Sequence, residues 1–206
     1  MTEVHQIIHA SIMLVSLNIT TRDKLLEAAV RVLNVQPRAS LADVAQAAGV
    51  KRVTLHRVIG LREDLLRDVA LRALEQREQA SAAAIKGKRK AFEQLKAIVG
   101  ALVPCANSCH FLWTNPEVLS DPEIAPEIKR HDAQLANLID RAKGEGEILS
   151  SIPNSWIITS LDAVLYAAAN TVEADGISIN EASSLAIQSL FGGISKRVKG
   201  LQLAHD

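Results

Sequence analysis

Apolar residues recur at helical spacing along most of this chain. Leu25, Ala28, Ala29, Val32 and Leu33 mark one face of a first helix. Thr20 or Thr21 is placed to cap it, and Pro37 closes it. Ser40 then caps a short helix with Asp43 three residues on, an acid that can return the capping bond. Leu41, Val44, Ala45 and Ala48 form its buried side, and Gly49 ends it. Lys51–Ile59 makes a third helix, Gly60 breaks it, and Arg62–Ser81 continues as a longer one. A basic joint, Lys86–Lys90 with Gly87 inside it, separates this front from five further apolar patches. Those are Phe92–Leu102, Cys109–Trp113, Ile124–Ile139, Trp156–Val172 and Glu181–Val198, each of helix length. Prolines 104, 116, 122, 126 and 153 punctuate them.

Composition agrees with an all-α protein. Hydrophobic residues make up 48% of the chain and aromatics only 3%, with Ala and Leu dominant, so strand-forming clusters are scarce. The expected organisation is an N-terminal extension over 1–19, a helix-turn-helix head over 20–66 and a helical bundle over 67–206. Formal net charge is zero, but its distribution is uneven. Between Thr20 and Leu66 eight bases oppose five acids, whereas from Pro104 to Glu181 four bases oppose twelve. An anionic partner is therefore expected at one end only. Two cysteines are too few for a disulfide framework and fit a reducing cytoplasm. Met1–Ile19 is apolar but carries Glu3 and no Lys or Arg, which makes a poor signal peptide. No membrane partner is expected.

The front of the chain meets the steric demands of a helix-turn-helix. Two short helices that cross steeply need a small residue at the contact, and the turn needs one that tolerates positive φ. Ala45 stands at the crossing, Gly49 four residues later, and Val50 plugs the space behind. On the second helix Leu55, Val58 and Ile59 can face inward. Lys51, Arg52, Thr54, His56 and Arg57 then remain for DNA. Cationic side chains can pair with phosphates or with guanine acceptors, and the Thr54 hydroxyl is short enough for a phosphate. Ser40 offers a hydroxyl and free amide ends. A solvated basic helix in an ordinary bundle is the competing reading, disfavoured by the serine, alanine and glycine at the required offsets.

Several segments together resemble the TetR family of regulators. They are Leu25-Leu26-Glu27-Ala28-Ala29, the run Ser40-Leu41-Ala42-Asp43-Val44-Ala45-Gln46-Ala47-Ala48-Gly49-Val50, Thr54-Leu55-His56-Arg57, and Arg62-Glu63-Asp64-Leu65-Leu66. The match covers about the first third of the chain. His56 stands where the family usually has a phosphate-touching tyrosine, and it can still donate a hydrogen bond. Arg62 keeps the charge of the usual lysine, and Val53 replaces a usual small residue. The resemblance implies a dimeric repressor that binds palindromic double-stranded operator DNA and is released by a small-molecule effector. It also implies a homodimer built on the last two helices, near Asn154–Ala174 and Asn180–Lys196. Ala163, Ala167, Leu185, Leu190 and Phe191 are the expected interface residues.

Candidate effector contacts are the larger apolar or aromatic residues of the second region, Phe92, Phe111, Trp113, Trp156 and Tyr166, with His110, His131 and Asn170 as polar partners. Most large apolar residues in a bundle are ordinary core. Two alternatives stand beside the leading one. Cys105 and Cys109, with His110 or His131, could sense a thiol oxidant or a metal, although the spacing matches no zinc pattern. A helical protein could also have kept the head and lost DNA affinity. There is no glycine-rich phosphate loop, serine elbow or compact carboxylate pair, so no catalytic residue, metal or cofactor is expected.

Overall fold

The computed structural model describes residues 20–194, so the extension over 1–19 and the end of the last expected helix, at Lys196 and Val198, lie outside the described residues. The described residues are helical throughout, without strands: α1 (Thr21–Val35), α2 (Leu41–Ala47), α3 (Arg52–Val58), α4 (Arg62–Ile85), α5 (Ala91–Leu102), α6 (Ala106–Thr114), α7 (Pro116–Ser120), α8 (Ile124–Gly144), α9 (Asn154–Asp175) and α10 (Ile179–Ile194). The chain divides into two compact units between Val69 and Ala70, a point inside α4.

In the first unit α1 packs on α2 and α3, and α2 packs on α3. Leu25, Ala28, Ala29, Leu33, Val44, Ala45, Leu55, Leu65 and Leu66 form its core. Two reciprocal capping boxes start α1 and α2. The Thr20 hydroxyl accepts from the Asp23 amide while Asp23 accepts from the Thr20 amide, and Ser40 and Asp43 repeat the pattern. Thr20, not Thr21, is therefore the cap.

In the second unit α5, α8, α9 and α10 surround one core of Leu95, Val99, Leu102, Ile139, Ile148, Leu161, Leu165 and Ala182. Pro126 does not interrupt α8, because it falls in the first turn where its missing N–H has no partner to lose. The stretch Ala91–Thr114 is long and apolar enough to cross a membrane by length and composition. A 3₁₀ turn at Val103–Cys105 breaks it, and half of its most apolar window is buried inside the bundle. The N-terminus of α5 is held from a distance: Glu145 accepts hydrogen bonds from the Ala91 and Phe92 amides at 2.7 and 3.2 Å. Those bonds keep the Glu145 carboxyl below the usual carboxylate range.

Candidate nucleic-acid interface and effector recess

The helix-turn-helix is set by a few residues. Ala45 is buried, Gly49 takes a left-handed φ of +68°, and the Val50 amide donates to the Ala45 carbonyl at 2.9 Å. Gly49 reaches that conformation without the penalty a Cβ would carry. Leu55 is fully buried and anchors α3, while Val58 and Ile59 are half-buried. Lys51, Arg52, Val53, His56 and Arg57 are exposed, and Thr54 is partly so. No acid occurs between Lys51 and Ile59, so every charged side chain on the outward side of α3 is cationic. Val53, at 78% exposure, is an apolar tip on that side, able to meet a thymine methyl group.

Three of the expected contacts are engaged within the protein. The Ser40 hydroxyl donates to Asp43 Oδ2 at 2.8 Å and accepts from the Asp43 amide, and these bonds hold the Asp43 carboxyl below its ordinary range. The Arg62 guanidinium donates to the carbonyls of Ala39 and, at 2.7 Å, Pro37, which ties the α1–α2 loop to the start of α4. His56 donates from Nδ1 to the Gly60 carbonyl at 3.0 Å. That bond assigns the tautomer and leaves Nε2 to accept from Arg52 Nε at 3.4 Å. Both ring nitrogens thus have partners within the head, and the ring orients Arg52. Sequence reasoning also missed Arg22, which bridges Asp68 at 2.6 Å and reaches the Val58 carbonyl, holding α3 against α1.

The expected effector contacts separate into four groups. His110, Trp113 and Tyr166 line a recess of about 220 Å³ together with Cys109, Asp162 and Ala163. The His110 and Tyr166 rings stack there with centroids 4.0 Å apart. His131 lines a different cavity of about 340 Å³ with Arg77, Gln94 and Arg141. Burial, with the neighbouring Arg130 and Arg77 charges, pushes the His131 imidazole below its usual value, and burial does the same to His110. Phe111 is core and Phe92 packs edge-to-face on Phe191, and neither lines these two recesses. Trp156 and Asn170 are exposed on α9.

Arg77 on α4 was absent from the sequence-based expectations, yet it is only 4% exposed. It lies 3.8 Å from Asp162 on α9 and over the Trp113 ring at 5.8 Å. Asp162 Oδ1, Asp132 Oδ1 and Trp113 Nε1 are buried without a hydrogen-bond partner. Burial raises the Asp162 carboxyl to about 6 against the lowering pull of Arg77, and burial raises Asp132 as well. Beside this cluster the Cys105 thiol donates to the Leu102 carbonyl at 3.3 Å, and the neighbouring Cys105 thiol together with burial pushes Cys109 well up. Among the described residues no three His, Cys, Asp or Glu side chains gather as a metal site.

On the last two helices, Ala163, Ala167 and Leu185 are exposed. Leu190 and Phe191 are buried in the unit's own core. Their apolar area is spent inside the chain, which corrects their expected place in an interface.

No family model matches the chain. It is 29% identical over 174 residues to the HTH-type transcriptional repressor LfrR of Mycolicibacterium smegmatis, covering 84% of this chain and 90% of that protein. The crystal structure of LfrR in complex with proflavine superposes with a TM-score of 0.61 at 29% identity, over 84% of this chain and 96% of that one. The ketosteroid regulator KstR2 of Mycobacterium tuberculosis, at 14% identity, shares the fold with a TM-score of 0.67 over 86% of this chain and 96% of its own. An all-helical fold, a helix-turn-helix built on Ala45, Gly49 and Leu55, and likeness to the LfrR repressor over most of both lengths agree: the chain is similar to TetR-like transcriptional regulators.

Proposed function

We propose that this chain is a cytoplasmic, dimeric repressor that reads a palindromic operator through α3 and is released by a small molecule bound in the second unit. The observation that carries the DNA half is the outward side of α3, with Lys51, Arg52, Thr54 and Arg57 and no acid. Two half-sites about 34–36 Å apart require two such helices, hence a dimer. The exposed side of α9 supports one: Trp156, Thr159, Ala163, Tyr166, Ala167, Asn170 and Ala174 follow helical spacing without a charge. Leu185 and Ile179 extend apolar surface along α10. LfrR with proflavine supports the effector half by likeness.

The test is a gel-shift with DNA flanking the chain's own gene. A specific band is expected, weakening steeply with salt as condensed counterions are released. Arg57→Ala should weaken it at least tenfold while leaving the circular dichroism spectrum unchanged. Equal affinity for flanking and random DNA would refute the reading.

A further inference from the structure

We propose that the cavity between α4, α5 and α8 seats a carboxylate-headed amphiphile of medium chain length, its head at Arg141 and its chain on Leu138 and Leu135. This rests on the effector reading above and names the ligand class.

The cavity lies wholly within the second unit and shares no residue with the uncharged side of α9 proposed as the dimer face. Its volume of about 340 Å³ falls at the small end of the roughly 300–1,000 Å³ of most small-molecule sites. Ile98, Leu135 and Leu138 form an apolar floor, each more than nine-tenths buried. Gln134, Asn137 and Arg141 are exposed at its edge, so it opens to solvent along α8. Measured along that helix, Leu138 and Leu135 stand about 4.5 and about 9 Å from Arg141. A chain whose head meets Arg141 therefore covers both. His131 and the buried Arg77 close the far end, and their polar groups limit the chain to medium length.

Charge selects an anion for the head. The basic joint Lys86–Lys90 follows Ile85, which lines the cavity. Gln94, another lining residue, donates to the Lys88 carbonyl at 2.6 Å. Lys86, Lys88, Arg89, Lys90 and Arg141 thus give this end of the cavity a cationic character, which draws anions. Glu145 faces Arg141 and Lys90, but its carboxylate already accepts from the Ala91 and Phe92 amides. Glu78, the acid in the lining, is bridged by Arg130 at 3.4 Å. The Arg141 guanidinium makes no hydrogen bond or ion pair among the described residues. A carboxylate head offers it the paired acceptors that match its fork of donors.

The test is calorimetric titration of the full-length protein at pH 7.5 with octanoate, octylammonium, 1-octanol and acetate. Octanoate should bind at least tenfold tighter than the ammonium or the alcohol, which share its chain, and than acetate, which shares its head. Arg141→Gln should weaken octanoate at least fivefold, leave the alcohol unchanged and keep the circular dichroism spectrum. Equal binding of octanoate and octanol, or of octanoate and acetate, overturns the proposal without using any variant. Binding of none of the four overturns it too, as does octanoate affinity that survives Arg141→Gln intact. A gel-shift run in parallel separates the two readings, and octanoate should weaken the specific band. An intact operator band with no octanoate preference sinks only the ligand class, whereas octanoate binding without a specific band sinks only the repressor.

Discussion

At the residue scale, the head depends on side chains whose roles differ from those their type suggests. Ser40, His56 and Arg62 look like DNA contacts in the sequence because each is polar and correctly placed. Their partners are backbone groups or neighbours brought close by the fold, and no spacing rule reveals a carbonyl that Arg62 meets 23 residues away. Ala45, Gly49 and Leu55 were legible, since the crossing admits only certain sizes and conformations. Gly60 carries more constraint than a helix breaker. It holds φ at +111°, and a Cβ there would come within 2.5 Å of Asp64 Oδ2, the acceptor that caps α4 through the Leu61 amide. Gly60→Ala should therefore destabilise the protein by about 1–3 kcal/mol, read as a lower urea midpoint with an unchanged slope.

At the element scale, the helices were visible as apolar patches, but which patch faces which was not. Leu190 and Phe191 have the same composition as a dimer seam and lie instead in the core, because α10 packs on α5 as well as α9. Arg77 was invisible for the same reason: a lone arginine in a charged helix reads as solvated until α9 places Asp162 beside it. The burial of Asp162 has a pH signature. The Asp162 carboxyl is raised to about 6, so between pH 4 and 6 the folded state binds more protons than the unfolded chain, and stability falls as pH rises through that window. The shift corresponds to something on the order of 3 kcal/mol at neutral pH. Asp162→Asn should flatten this part of the stability–pH profile relative to the parent in denaturant titrations. An unchanged profile would mean that the carboxyl is not buried as described.

At the scale of the whole molecule, the dimer is the proposed unit of function, and its surface is an uncharged stripe of small residues on α9 flanked by Trp156 and Tyr166. Ala167→Asp places a charge where close approach would strip it of water. It should convert dimer to monomer in sedimentation velocity and abolish cooperative operator binding, with helicity retained. The cluster around Arg77 has a different consequence at this scale. Burying a polar atom without a partner costs stability, and Asp162 Oδ1, Asp132 Oδ1 and Trp113 Nε1 are such atoms. Any molecule that satisfies them is rewarded by mass action, by about 2.7 kcal/mol at a hundredfold excess over its dissociation constant. The melting curve thus becomes a chemical sensor, able to rank small molecules for this protein before a single operator sequence is known.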